Sequence, residues 1–187
     1  MALDIFWTLF LVLANGFFVA AEFAIVKVRA SQIELQAKSG SKVAAVAKNI
    51  TEHLDGYLAA TQLGITLASL ALGWVGEAVM TQIVHNFFSW INIELTGSWS
   101  KHLGHILAFS IITVLHIVFG ELAPKSIAIQ KPVATTMKIA IPLQIFYYVL
   151  RPFIWVLNGF ANMLLKLIGI NIHAGESSHS SEELQYL

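Results

Sequence analysis

Residues 5–26 carry one charged side chain, Glu22, in a run that is otherwise almost wholly apolar. As an α-helix this run is about 33 Å long, enough to cross the roughly 30 Å hydrocarbon core of a bilayer. Residues 58–88 and 103–122 repeat the pattern, with Glu77 and Glu121 as their only charges. Lipid offers backbone amides no partner, so a chain built from such runs must satisfy its N–H and C=O groups internally. The runs lack the strict alternation of barrel strands, which leaves the helix. The expected fold is all-α and integral to the membrane.

Composition agrees: 57% of residues are hydrophobic and 12% charged, against about 25% charged in soluble domains. Eleven basic residues balance eleven acidic ones and form no basic stripe, which argues against nucleic acid as a partner. The chain has no cysteine, so disulfides, thiolate metal sites and cysteine nucleophiles are excluded. Asp4 stands where a signal peptide would be basic, and the first run is long enough to span, so it is expected to be retained. No nucleophile elbow, phosphate loop or paired acid and base is visible, and an enzyme is not expected.

The chain therefore reads as three transmembrane helices over about 4–28, 57–88 and 102–123. Residues 30–56 form a membrane-adjacent helical connection, with a break at Ser39-Gly40-Ser41 and a stop at Asp55-Gly56. Residues 131–170 are apolar but punctuated by Pro132, Pro142 and Pro152, and a spanning Arg151 costs about 2.5 to 3.5 kcal/mol on the insertion scale. A kinked belt of short juxtamembrane helices is the expectation there. Residues 173–187 turn polar and read as a linker. The first loop holds Lys27, Arg29, Lys38, Lys42 and Lys48, whereas the second holds only Lys101. By the positive-inside rule the N-terminus lies outside and the C-terminus in the cytoplasm.

The most informative polar stretch is His116-Ile-Val-Phe-Gly-Glu-Leu-Ala-Pro-Lys-Ser126, where Glu121 closes an apolar run between Gly120 and Pro124. Proline removes a backbone donor, so carbonyls just before Pro124 are left free to face a ligand. An intramembrane carboxylate in that setting marks a functional site. Thr61, Gln62, Thr66 and Ser69 recur about one turn apart on the second helix. Each hydroxyl taken singly is expected to bond back to its own helix. Asn15 suits a bond to a neighbouring helix, and Glu22 an ion pair with Lys27 or Arg29. His102 and His105 share a helix face without a third ligand and read as solvated. Topology puts Glu22, Glu121 and the Thr61–Ser69 stripe at one level near the inner face. Such an oxygen-rich set suits Mg²⁺, Ca²⁺ or Na⁺ better than zinc or copper.

Three stretches, Asn15-Gly-Phe-Phe-Val-Ala-Ala-Glu-Phe-Ala24, Ala60-Thr-Gln-Leu-Gly-Ile-Thr-Leu-Ala-Ser69 and Gly120-Glu-Leu-Ala-Pro-Lys-Ser126, resemble the signatures of the CNNM/CorC transmembrane domain in order and spacing. The resemblance implies a multi-pass plasma-membrane homodimer of three-helix protomers with a cytoplasm-facing cavity. It implies cytoplasmic CBS domains in the full-length protein, which alone would bind adenine nucleotide. It also implies Mg²⁺ transport, with Na⁺-coupled efflux by alternating access. Carried over by position, the metal ligands are Glu121, Ser69 and Thr66, with Gly120, Pro124 and Lys125 at the gating helix break and Asn15, Glu22, Thr61 and Gln62 as polar support. A first-helix Ser of the family falls on Ala21 here, which has no side-chain oxygen. The competing reading is a dimeric membrane anchor that senses a cation and signals to soluble domains without transporting it.

Overall fold

The structure, a computed structural model, describes residues 2–91 and 98–168. It divides into two compact units, Met1–Tyr148 and Val149–Leu187. The described elements are all helical: α1 (Ala2–Lys27), α2 (Ala30–Lys38), α3 (Lys42–Glu52), α4 (Leu54–Trp90), α5 (Ser98–Leu115), a π-helical segment (His116–Leu122), α6 (Ala123–Gln130) and α7 (Pro132–Leu167). Four stretches are long and apolar enough to cross a membrane: Leu3–Lys27, Leu54–Trp90, His102–Gln130 and Pro132–Leu167. The polar segment 173–187 lies outside the described residues.

In the first unit, α1 is the central helix and packs against α4, the π-segment and α6. Its register with α4 is antiparallel. Val12 clusters with Leu72, Asn15 meets Ser69, Phe18 covers Gly64, and Glu22 bonds Gln62. The approach is closest at Gly64, where a Cβ would lie 2.5 Å from the Phe18 ring. Small residues let two helix backbones come together this way, since lipid supplies no hydrophobic force to drive them. Helix α5 is antiparallel to α4 as well, with Ile112 beside Gly76 and His105 beside Thr81. Helix α1 and the third long helix therefore run in the same sense, with α4 between them in direction.

Helices α2 and α3 link the end of α1 to the start of α4. Gly40 adopts φ 88°, and Ser41 caps α3 by accepting the Ala44 N–H at 3.3 Å. Helix α3 buries Ala44, Ala47 and Ile50, three residues apart, and leaves Lys42 and Glu52 outside. With Ala21 and Ile25 of α1, Ile33 of α2, Tyr57 of α4, and Ile139, Ala140 and Leu143 of α7, Ala47 and Ile50 form an apolar cluster at this end of the bundle.

Two expectations are corrected. The stop before the second long helix lies at His53, whose φ of −120° and ψ of 43° break the helix, and Asp55-Gly56 sit inside the first turn of α4. Gly56 is instead where Tyr147 packs, its hydroxyl 3.0 Å from the position of a Cβ. The belt of short helices is a single helix, α7. Pro132 occupies its first position, where no intrahelical donor is required. Pro142 and Pro152 each delete one hydrogen bond, and a long apolar helix tolerates such isolated losses. In the second unit residues 149–167 are helical and expose Phe153, Trp155 and Phe160.

Candidate functional site

Between Leu115 and Ala123 the third long helix widens, and the Ala123 N–H reaches back five residues to the Val118 carbonyl. π-Geometry is uncommon and concentrates at functional sites. Here its downstream edge is Pro124, which has no N–H to offer the carbonyls of Phe119 or Gly120. Helix α1 packs against both carbonyls and supplies a donor to one of them. Asn15 Nδ2 donates to the Gly120 carbonyl at 3.0 Å. Gly16 lies against the Phe119 carbonyl and Pro124, where a Cβ would stand 3.0 and 2.9 Å away. Gly120 is also confined, its missing Cβ falling 2.7 Å from His116 Cδ2.

The other end of the Asn15 amide is used too: Ser69 Oγ donates to Asn15 Oδ1 at 3.1 Å. The amide orientation is fixed by chemistry, because a carbonyl accepts only and Nδ2 must face Gly120. Asn15 is 2% exposed. One buried side chain thus ties α1, α4 and the π-segment together, while Glu121, next to Gly120, is exposed and without an ion pair among the described residues.

Seven residues further along α1, about 10 Å, Glu22 hydrogen-bonds Gln62. This partner replaces the expected Lys27 or Arg29. Helix α4 carries Thr66 between the two contacts, exposed, with its hydroxyl donated to the Gln62 carbonyl at 2.8 Å. Thr61 is fully buried and donates to the Leu58 carbonyl at 2.9 Å. Lys125 places its ammonium 4.4 Å from the centre of the Phe23 ring, a cation–π contact.

The structure therefore brings Asn15, Ser69 and Gly120 together, and Glu121, the next residue along the π-segment, is exposed. Glu22 and Gln62 form a separate pair two turns away, because the antiparallel register fixes α1 against α4 more tightly than a depth count does. Ala21 is fully buried in the apolar cluster with Ile25 and Tyr57. The first helix reaches the site through Asn15, whose central place was not readable from its own surroundings. A groove of about 760 Å³ between α1, α4 and residues 142–146, and a second of about 320 Å³ against Leu9, Val79 and Ile112, are apolar; neither includes Glu121, Ser69 or Thr66. Among the described residues no group of three His, Asp or Glu side chains is placed to hold a metal. Any cation held here would rest on hydroxyl, carbonyl and a single carboxylate.

The chain is similar to proteins of Bacillus subtilis and Mycobacterium tuberculosis. It is 46% identical over 178 residues to the UPF0053 protein YhdP of Bacillus subtilis, covering 95% of this chain and 40% of that protein. UPF0053 protein YrkA of the same organism is 46% identical over 184 residues, covering 98% and 42%. Uncharacterized protein Rv1841c of Mycobacterium tuberculosis is 35% identical over 162 residues, covering 87% and 45%. The chain thus spans about two fifths of the length of these relatives. The family model of the cyclin M transmembrane N-terminal domain matches residues 6–187, and the chain belongs to this CNNM family of multi-pass membrane domains.

Proposed function

We infer that the domain carries a divalent cation, Mg²⁺ in the first instance, across the membrane without catalysing a reaction. The observation that supports this most is the Asn15–Ser69–Gly120 contact beside an unpaired Glu121. Ser69 gives its proton to Asn15 and so keeps its lone pairs for a cation, and the Gly120 carbonyl retains a second lone pair. Glu121 supplies the charge, and Thr66, one turn before Ser69, an outer oxygen. Mg²⁺ keeps several of its waters, so a small protein shell suffices. Opening and closing would involve the π-segment between Gly120 and Pro124, with Lys125 anchored on Phe23. Na⁺ is the proposed coupling ion.

The same reading takes the protein as a plasma-membrane homodimer, with the N-terminus outside and CBS domains, with their adenine nucleotide, in the rest of the full-length protein. It takes three spans, with the start of α7 lying in the cytoplasmic interface. Val133, Met137, Ile139, Leu143 and Tyr147 all pack on one cluster built from helix ends and from α2 and α3.

Thermal stability of the purified domain against Mg²⁺, Ca²⁺ and Na⁺ tests the ion site, followed by flux in proteoliposomes. A ligand at a hundred times its Kd stabilises by about 2.7 kcal/mol. Mg²⁺-dependent stabilisation that disappears in Glu121→Gln and weakens in Ser69→Ala, with matching loss of flux, is expected. Unchanged ion binding and flux in Glu121→Gln would remove Glu121 from the mechanism. Binding without flux would make the domain a cation-sensing anchor.

A further inference from the structure

Seven of the eleven lysines and arginines gather at one end of the first unit. Helices α1 and α6 finish there and α4 begins there, joined by α2 and α3, so Lys27, Arg29, Lys38, Lys42, Lys48 and Lys131 share that end. Lys138 joins them, flanked by Met137 and Ile139 of the cluster beneath. Between residues 56 and 124 the only other lysine or arginine is Lys101.

Two of the seven are neutralised locally: Lys38 pairs with Glu34 at 3.1 Å and Lys48 with Glu52 at 3.6 Å. Lys27, Arg29, Lys42, Lys131 and Lys138 are exposed and have no ion pair among the described residues. Asp55 is the one further carboxylate between residues 27 and 57, and none occurs between 122 and 150. The cations are interleaved with large apolar side chains that are themselves exposed: Val26 before Lys27, Ile127 and Ile129 before Lys131, and Ile141 after Lys138.

We propose that this end binds anionic phospholipid, the five free cations taking headgroup phosphates and the neighbouring apolar side chains taking the first methylenes of the acyl chains. A soluble acidic partner would satisfy the charges and leave Val26, Ile127, Ile129 and Ile141 in water. A lipid surface satisfies both, because long basic side chains lay their stems along apolar surface and lift the charge to the headgroups. The proposal rests on the helices spanning a bilayer and is independent of the cation site.

The test reconstitutes the 187-residue chain in phosphatidylcholine vesicles containing phosphatidylglycerol, extracts it in mild detergent and measures the copurifying lipid by mass spectrometry. Phosphatidylglycerol is expected to be enriched over its vesicle fraction and to raise the unfolding temperature relative to phosphatidylcholine alone. Both effects should vanish in Lys27→Gln/Arg29→Gln/Lys131→Gln/Lys138→Gln, each neutralised cation lowering binding about fivefold. Lys38→Gln/Lys48→Gln, which removes charges already paired, should retain them. Molar salt should erase the wild-type enrichment, a readout that needs no variant to fold. No enrichment in the wild type, or equal enrichment in the fourfold variant, overturns the proposal. So does displacement of the lipid by millimolar inorganic phosphate with the same thermal shift, which would make this a free-anion site. Stabilisation by soluble polyglutamate but not by phosphatidylglycerol overturns it in favour of an acidic polypeptide.

Discussion

Replacing Asn15 by alanine removes both hydrogen bonds at the centre of the site, and their consequences differ. The Ser69 hydroxyl is half-buried and can turn back to its own helix, as Thr66 does to Gln62 at 2.8 Å, so its loss is small. The Gly120 carbonyl has no such recourse, because the residue four positions on is Pro124. A stranded buried acceptor costs about 1 to 3 kcal/mol, whereas hydrogen bonds within membrane proteins average about 0.6 kcal/mol because alternative partners are usually available. Here the ordinary alternative is missing, and Asn15→Ala is expected to destabilise by about 2 kcal/mol. The decisive arm is a double-mutant cycle with Pro124→Ala, which restores an N–H that the Gly120 carbonyl can accept in α-helical register. Asn15→Ala should then cost about 1 kcal/mol less than in the wild-type background. Reversible unfolding in mixed detergent micelles, followed by circular dichroism, gives both numbers. Strict additivity, or a wild-type loss below about 0.5 kcal/mol, would refute the account in which Asn15 compensates for the proline.

Close helix approach gives a second prediction. Gly64→Ala puts a Cβ 2.5 Å from the Phe18 ring, itself held against Phe146 at 4.5 Å, and should cost about 1 to 3 kcal/mol in thermal or detergent unfolding. Gly73→Ala, where nothing lies within 4 Å, should instead gain about 0.5 to 1 kcal/mol from helix propensity. Thr136 Oγ1 is buried without a hydrogen-bond partner, so Thr136→Val, which keeps the shape and removes the orphan, should stabilise by about 1 kcal/mol in the same assay. Glu34 is hydrogen-bonded to Lys38, and that contact and charge hold its carboxyl below the ordinary 4.5. A lowered folded value means that the contribution is present above pH 4.5 and is lost as pH falls through the folded value. The pair is exposed, so the step should be slight, absent in Glu34→Gln and flattened by salt.

The helices were legible because lipid leaves the backbone few choices: a long, almost uncharged run must be helical, and residues 5–26, 58–88 and 103–122 each are, the last ending in the π-segment. The irregularity before Pro124 was legible for the same reason, since a missing N–H can be counted in the sequence. Helix α7 was expected to break at its prolines, but a mid-helix proline deletes a single hydrogen bond, and the bonds on either side carry the helix through Pro142 and Pro152. The stop at His53 was hidden because Asp55-Gly56 is a stronger turn signal by composition, and Gly56 is used instead to admit Tyr147. Pairings across helices were the least legible. Asn15 finds Ser69 at a separation of 54 residues and Gly120 at 105, and nothing adjacent to Asn15 announces either partner.

What those pairings do to the surface follows from proton counting. Ser69 gives its single hydroxyl proton to Asn15, and Thr66 gives its own to the Gln62 carbonyl. Asn15 directs an amide hydrogen at Gly120, and Gln62 is engaged with Glu22. The hydroxyl donors of Ser69 and Thr66 are thus turned into the protein, and under the proposed cation site what they would leave toward an ion is lone pairs: two hydroxyl oxygens, joined there by the Gly120 carbonyl and the Glu121 carboxylate. An anion entering here would meet acceptors and negative charge, and a cation would meet ligands already oriented. Asn15, with its amide spent on internal bonds, is then better described as the residue that aims Ser69 and Gly120 than as a ligand. Its removal should lower cation affinity by loosening that aim, while Glu121→Gln lowers it by removing charge. The two losses separate experimentally, because salt weakens an exposed charge and leaves a buried hydrogen bond largely untouched.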